Sequence, residues 1–101
     1  MRLNHQDLTA LQQAIQSLAP DVQAIRLFGS RLYDDIRGGD VDLMVDFDHP
    51  IEHSAVLSAR LAVRASRAIG GRKVDIVLRA PNLMQSAIHR IAEEQGLLIY
   101  P

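Results

Sequence analysis

Two aspartates separated by one residue, Asp40 and Asp42, open the apolar run Asp40-Val41-Asp42-Leu43-Met44-Val45, and nine residues separate Asp40 from Ser30 of a Gly29-Ser30 pair. Successive side chains of a β-strand point to opposite faces. Asp40 and Asp42 therefore share one face, while Val41, Leu43, Val45 and Phe47 turn the other way into a core. Two carboxylates about 7 Å apart on one face repel each other unless a cation lies between them. Mg²⁺ suits that place, because it takes carboxylate oxygens and substrate phosphates together. Gly29 lets a backbone approach closely, and Ser30 stands where a helix N-terminus can offer N–H groups and a hydroxyl to a phosphate. A phosphate cradle beside a metal-binding acid pair is nucleotide chemistry.

The surrounding elements must hold these groups together. Residues 4–18 predict an amphipathic helix, with Leu8, Leu11, Ile15 and Leu18 on one stripe, Asn4 as N-cap, Asp7 in the first turn and Pro20 as the stop. Residues 22–28 predict a first strand, residues 30–36 a short helix carrying Arg31 and Tyr33, and Gly38-Gly39 a turn into a second strand over 40–47. If phosphates near Ser30 belong to the nucleotide whose metal sits on Asp40 and Asp42, the end of the first strand must adjoin the start of the second. The two strands then run antiparallel, and a doubly wound parallel sheet is disfavoured.

Residues 51–69 predict a long helix with Val56, Leu57, Leu61, Ala65 and Ala68 inward, closed by Gly70-Gly71. Arg60, Arg64 and Arg67 form a second face, read as a solvated surface or as contacts with a partner protein or phosphates. A third strand over 73–78 puts Val74, Ile76 and Leu78 on one side and Asp75 on the other. Asp75 thus joins the acid face as a third carboxylate, or pairs with Lys73 or Arg72. Pro81-Asn82 is expected to start a last helix, with Leu83, Met84, Ala87, Ile88 and Ile91 inward. Residues 97–100 are a terminal strand or an apolar tail, and Leu97 to Tyr100 are interface candidates.

Size and composition narrow the classes. At 101 residues, 48% hydrophobic and net charge −1, the chain reads as a single domain over residues 1–101 and provides no broad basic groove for nucleic acid. No cysteine is present, so neither disulfides nor thiolate zinc sites arise. The four histidines (His5, His49, His53, His89) lack metal-ligand spacing. The start shows no signal-peptide pattern and no run reaches membrane-spanning length, so a cytoplasmic protein is expected.

Gly29-Ser30, a spacer and Asp40-x-Asp42, in the context "LFGSR" and "VDLMVDF", resemble the signature of the DNA polymerase β-type nucleotidyltransferase superfamily. Within it, the short chain resembles the minimal, MntA-like antitoxins encoded beside HEPN-domain proteins. The resemblance implies an α/β (α+β), polymerase β palm-like fold: a small mixed sheet of three to four strands with helices packed on one face. It also implies that Asp40, Asp42 and Asp75 are the catalytic and metal-binding acids, with Gly29, Ser30 and Arg31 at the phosphates. Arg31 alternatively pairs with Asp34 or Asp35. Two Mg²⁺ ions about 3.5–4 Å apart would serve such chemistry, with ATP as substrate. Asp75 would bind the ion nearest the acceptor and could take its proton, directly or through water.

The spacer is short, and Leu32-Tyr33-Asp34-Asp35 stands where the family often carries a glycine. About 26 residues follow Asp75, where larger relatives add an acceptor-binding domain, so the acceptor is expected to bring its own binding surface. The resemblance supplies one: AMP transferred from ATP to a tyrosine hydroxyl of a HEPN ribonuclease toxin, whose RNA site the added phosphates would block. The competing expectations are a non-catalytic antitoxin that covers the HEPN partner, and a nucleotidyltransferase for small antibiotic-type acceptors. Homo-oligomers and hetero-oligomers with the HEPN protein are both open.

Overall fold

A computed structural model describes residues 3–29 and 41–101. In chain order its elements are α1 (His5–Leu18), β1 (Ala24–Phe28), β2 (Val41–Asp46), α2 (Ser54–Ala68), β3 (Val74–Arg79), α3 (Ala87–Gln95) and β4 (Leu97–Tyr100). The strands form one mixed sheet in the order β3-β2-β1-β4, with β1 antiparallel to β2 and to β4 and β2 parallel to β3. The antiparallel β1–β2 pair and the three-to-four-strand mixed sheet match the sequence expectation, and residues 97–100 prove to be a strand.

Local chemistry sets the ends of the first two helices. Asn4 and Asp7 cap α1 reciprocally: the Asp7 N–H donates to Asn4 Oδ1 (2.8 Å), and the Asn4 N–H donates to Asp7 Oδ2 (3.1 Å). Two otherwise orphan donors are thus satisfied. Helix α2 ends as its glycines dictate. Gly70 and Gly71 take φ of 77° and 85°, and the Gly71 N–H reaches back to the Ser66 carbonyl at 2.8 Å. That is a Schellman closure, which needs a left-handed residue after the helix.

The core lies between the sheet and the α1–α2 layer. Leu11 and Ile15 of α1, Leu61 and Ala65 of α2, Ile25 and Leu27 of β1, and Val41, Leu43 and Val45 of β2 are all buried there. The alternation in β2 thus sends its odd residues where the sequence placed them. The expectation that helices pack on one face holds for α1 and α2 only. Helix α3 covers part of the opposite face, where Ala92 packs against Phe28 and Met44.

Helix α3 also starts later than expected. Pro81 and Asn82 lie in a turn before it, and Ser86 is its N-cap. Asn82 is occupied elsewhere: its amide donates to the Ile51 carbonyl (2.8 Å) and its Oδ1 accepts the Ile51 N–H (2.9 Å), tying two loops together. The expected inward set is corrected as well. Met84 is 91% exposed and Ile88 and Ile91 are half-exposed, whereas His89 and Ala92 are buried. Among the described residues, the patch under α3 consists of Phe28, Met44 and partly buried Val77, against which Ala92 packs.

Candidate active site

Strand pairing assembles the acid face. Phe28 pairs with Asp42 across the antiparallel β1–β2 ladder, so Gly29 follows directly beside Asp42. Gly29 takes φ of 80°, and a Cβ added there would fall onto the Asp42 carboxylate, with Asp42 Cγ at 3.2 Å. Only glycine permits both that backbone conformation and that approach. The close neighbour of Gly29 is thus the Asp42 carboxylate. Ser30, Arg31 and Asp40, with the expected helix over 30–36 and the Gly38-Gly39 turn, lie outside the described residues.

On its other side β2 runs parallel to β3 with Asp42 in register with Asp75. Neighbouring strands lie about 4.8 Å apart, so the two acids are side-by-side neighbours on one face. Like charges placed so oppose each other and gain from a shared cation. The Asp75 side chain is 47% exposed, on an edge strand, and Lys73 Nζ lies 3.9 Å from its Oδ1. The Lys73 pairing considered from sequence is therefore present, as a long surface contact of at most about 1 kcal/mol. Arg72 is engaged elsewhere, with Asp7 (3.1 Å) and the Ile69 carbonyl (3.2 Å).

Asp46 shares this face and has a different fate. It is buried and clamped by Arg26 Nη1 (2.7 Å) and by Arg79 through Nε (3.1 Å) and Nη2 (2.7 Å), while Arg79 Nη1 also binds Glu93 of α3 (2.7 Å). Partial burial works against the Arg79 charge, yet the Asp46 and Glu93 carboxylates more than offset it and raise the Arg79 pKa. Asp46 is a structural anion that joins β1, β2 and β3. Sequence reasoning missed the clamp, although Arg26 and Arg79 face Asp46 once the register is known. It also gave His89 no role. The His89 Nδ1 accepts the Ser86 N–H (3.0 Å) and its Nε2 donates to the Leu78 carbonyl (2.9 Å), which fixes a neutral tautomer and pins α3 to β3.

Asp42 and Asp75 offer hard oxygen donors with no imidazole or thiolate beside them, a set suited to Mg²⁺ rather than zinc. Among the described residues no three His, Cys, Asp or Glu converge on one point. A cavity of about 650 Å³ bordered by His49, His53, Val56 and Arg60 lies beyond the far end of β2.

The nucleotidyltransferase-domain family model matches residues 8–98, and the chain belongs to that family. No curated protein sequence matches it. Among solved structures, the chain is similar to one of a tri-AMPylated Shewanella oneidensis HEPN toxin in complex with MNT antitoxin. The identity is 19% and the TM-score 0.66, over 93% of this chain and 69% of that one. A toxin–antitoxin structure with AMP-PNP aligns at 18% identity and TM-score 0.71, over 92% and 72%. The toxin–antitoxin MntA-HepT aligns at 18% and 0.67, over 96% and 72%. These likenesses establish the fold. Among the described residues, no helix is long and apolar enough to cross a membrane.

Proposed function

We propose that the chain is a Mg²⁺-dependent protein adenylyltransferase of the antitoxin type, transferring AMP from ATP to a tyrosine hydroxyl of a HEPN-domain ribonuclease. The observation that carries this reading is the in-register Asp42–Asp75 pair with Gly29 packed against it. The HEPN toxin, its AMPylation and the AMP-PNP named for the structural neighbours support the choice of partner and nucleotide.

In the proposed reaction the acceptor oxygen attacks the α-phosphorus of ATP. A new P–O bond forms, the bond to the β-phosphate oxygen breaks, and pyrophosphate leaves. Asp42 and Asp75, together with Asp40, would hold divalent cations, which neutralise the triphosphate charge when bound. Gly29, Ser30 and Arg31 are assigned to the phosphates. Asp75 is assigned the acceptor proton, directly or through water. Its place on an edge strand, with a half-exposed side chain, suits a folded acceptor that can approach from the side of the sheet.

Pyrophosphate release from Mg-ATP separates the readings. Release that requires the HEPN protein supports the proposal. Release with an aminoglycoside-type acceptor alone supports small-molecule transfer. A stable complex with no release supports a covering antitoxin.

A further inference from the structure

Helix α2 presents an unusual outer surface. Its fifteen residues carry Arg60, Arg64 and Arg67 and no acid, in a chain whose net charge is −1. Val56 and Val63 are 58% and 51% exposed, and with exposed Ala59 they fall at i, i+3 and i+7, an apolar stripe on the side away from the core. Arg60 and Arg67 each follow one residue or one turn along the same edge of that stripe. Among the described residues neither makes an ion pair, and Arg64 donates only to the neutral Ser17 hydroxyl at 3.0 Å. A groove of about 310 Å³ runs between this face and the end of α1, floored by Leu18, Ala59 and Val63 and edged by the three arginines.

We propose that this face docks an acidic amphipathic α-helix of a partner protein. The 3-4 spacing of Val56, Ala59 and Val63 is that of a helix–helix seam, and Arg60 and Arg67 stand at the flanking positions that select the partner's charge. From Val56 to Arg67 the face is about 17 Å long, three turns of a docked helix. A second copy of α2 would bring three more arginines and be repelled. Nucleic acid would leave the valines without partners, and the stripe holds no aromatic side chain for bases to stack on. The groove lies on the α1–α2 side of the sheet, whereas Asp42 and Asp75 lie on the opposite face. Docking here leaves the acids open, and the inference stands whether or not the chain transfers nucleotides.

The test uses the full chain and three fluorescent probes: a 21-residue designed helix with leucines along one stripe and glutamates flanking it, the same helix with lysines for glutamates, and a single-stranded oligonucleotide. The acidic helix is expected to bind and the lysine helix not. Arg60→Glu/Arg67→Glu should weaken acidic-helix binding by about tenfold or more. Val63→Ser should weaken it too, with each variant's melting temperature unchanged because all three positions are exposed. Equal binding of both helices, or binding insensitive to the charge reversal, overturns the proposal. Oligonucleotide binding that depends on the arginines but not on Val63 overturns it in favour of a phosphate surface. A dimer in sedimentation that the charge reversal dissolves replaces the partner helix with a second copy.

Discussion

At the scale of single residues, the acids of the sheet's α3-facing side differ in their neighbours. Asp46 sits between two guanidinium groups and is spent on structure, while Asp42 and Asp75 face each other in register. Removing the Asp46 carboxylate leaves Arg26 and Arg79 partly buried beside one another. Asp46→Ala should therefore cost about 3 kcal/mol in urea unfolding. Gly29→Ala should cost about 1–3 kcal/mol from its positive φ and also displace the Asp42 carboxylate, so nucleotide binding should weaken beyond the stability loss. Isothermal titration with Mg-ATP on the folded variant reads that second effect. The Gly29 and Asp42 positions were legible because a glycine-serine pair and an acid pair each stand at the end of an apolar run. The Asp46 clamp was not, since it depends on the register of three strands.

At the scale of elements, period-2 and period-3.6 patterning located α1, α2 and the first three strands, left residues 97–100 open between strand and tail, and misplaced two inward residues of α2, Val56 and Ala68, which are exposed; it failed most in α3. There the inward face is set by a narrow patch and by hydrogen bonding. A polar His89 is buried while Ile88 and Ile91 are not, and hydrophobicity alone points the wrong way. His89→Ala strands the Leu78 carbonyl and loses the Ser86 contact. A loss of about 1–3 kcal/mol is expected, with α3 amides exchanging first in hydrogen exchange. The loop after β2 carries a pH-sensitive contact. The His49 pKa is raised by the Pro50 carbonyl at Nδ1 and by the Asp21 carboxylate at Nε2, with Asp48 nearby. Both ring nitrogens thus face acceptors, which favours the doubly protonated ring. A raised folded pKa means the contact stabilises fully below about pH 6.5 and is lost as pH rises through the folded value. The melting-temperature gap between wild type and His49→Ala should be small, present at pH 5.5 and absent at pH 9.

At the scale of the whole molecule, the sheet separates two surfaces. One bears the Asp42–Asp75 pair and reaches the β3 edge, and the other is the α1–α2 layer with its arginine-rich outer side. The antiparallel β1–β2 pair was readable because the Gly29-Ser30 and Asp40-Val41-Asp42 motifs have to meet at one place, whereas the fold class came from the resemblance that those motifs carry. Asp75 stood out because it interrupts the apolar residues Val74, Ile76, Val77 and Leu78 of its strand, and its role as a third acid belongs to the proposal. Intact mass spectrometry of the HEPN partner, incubated with this protein, Mg²⁺ and ATP, tests the central claim most directly, with Asp42→Asn and Asp75→Asn run in parallel. The partner should gain whole AMP units with wild type, and the rate should fall by about 10²–10⁴-fold with Asp75→Asn and be lost with Asp42→Asn. A partner that gains no mass while remaining bound, or gains it equally with both variants, would contradict the account.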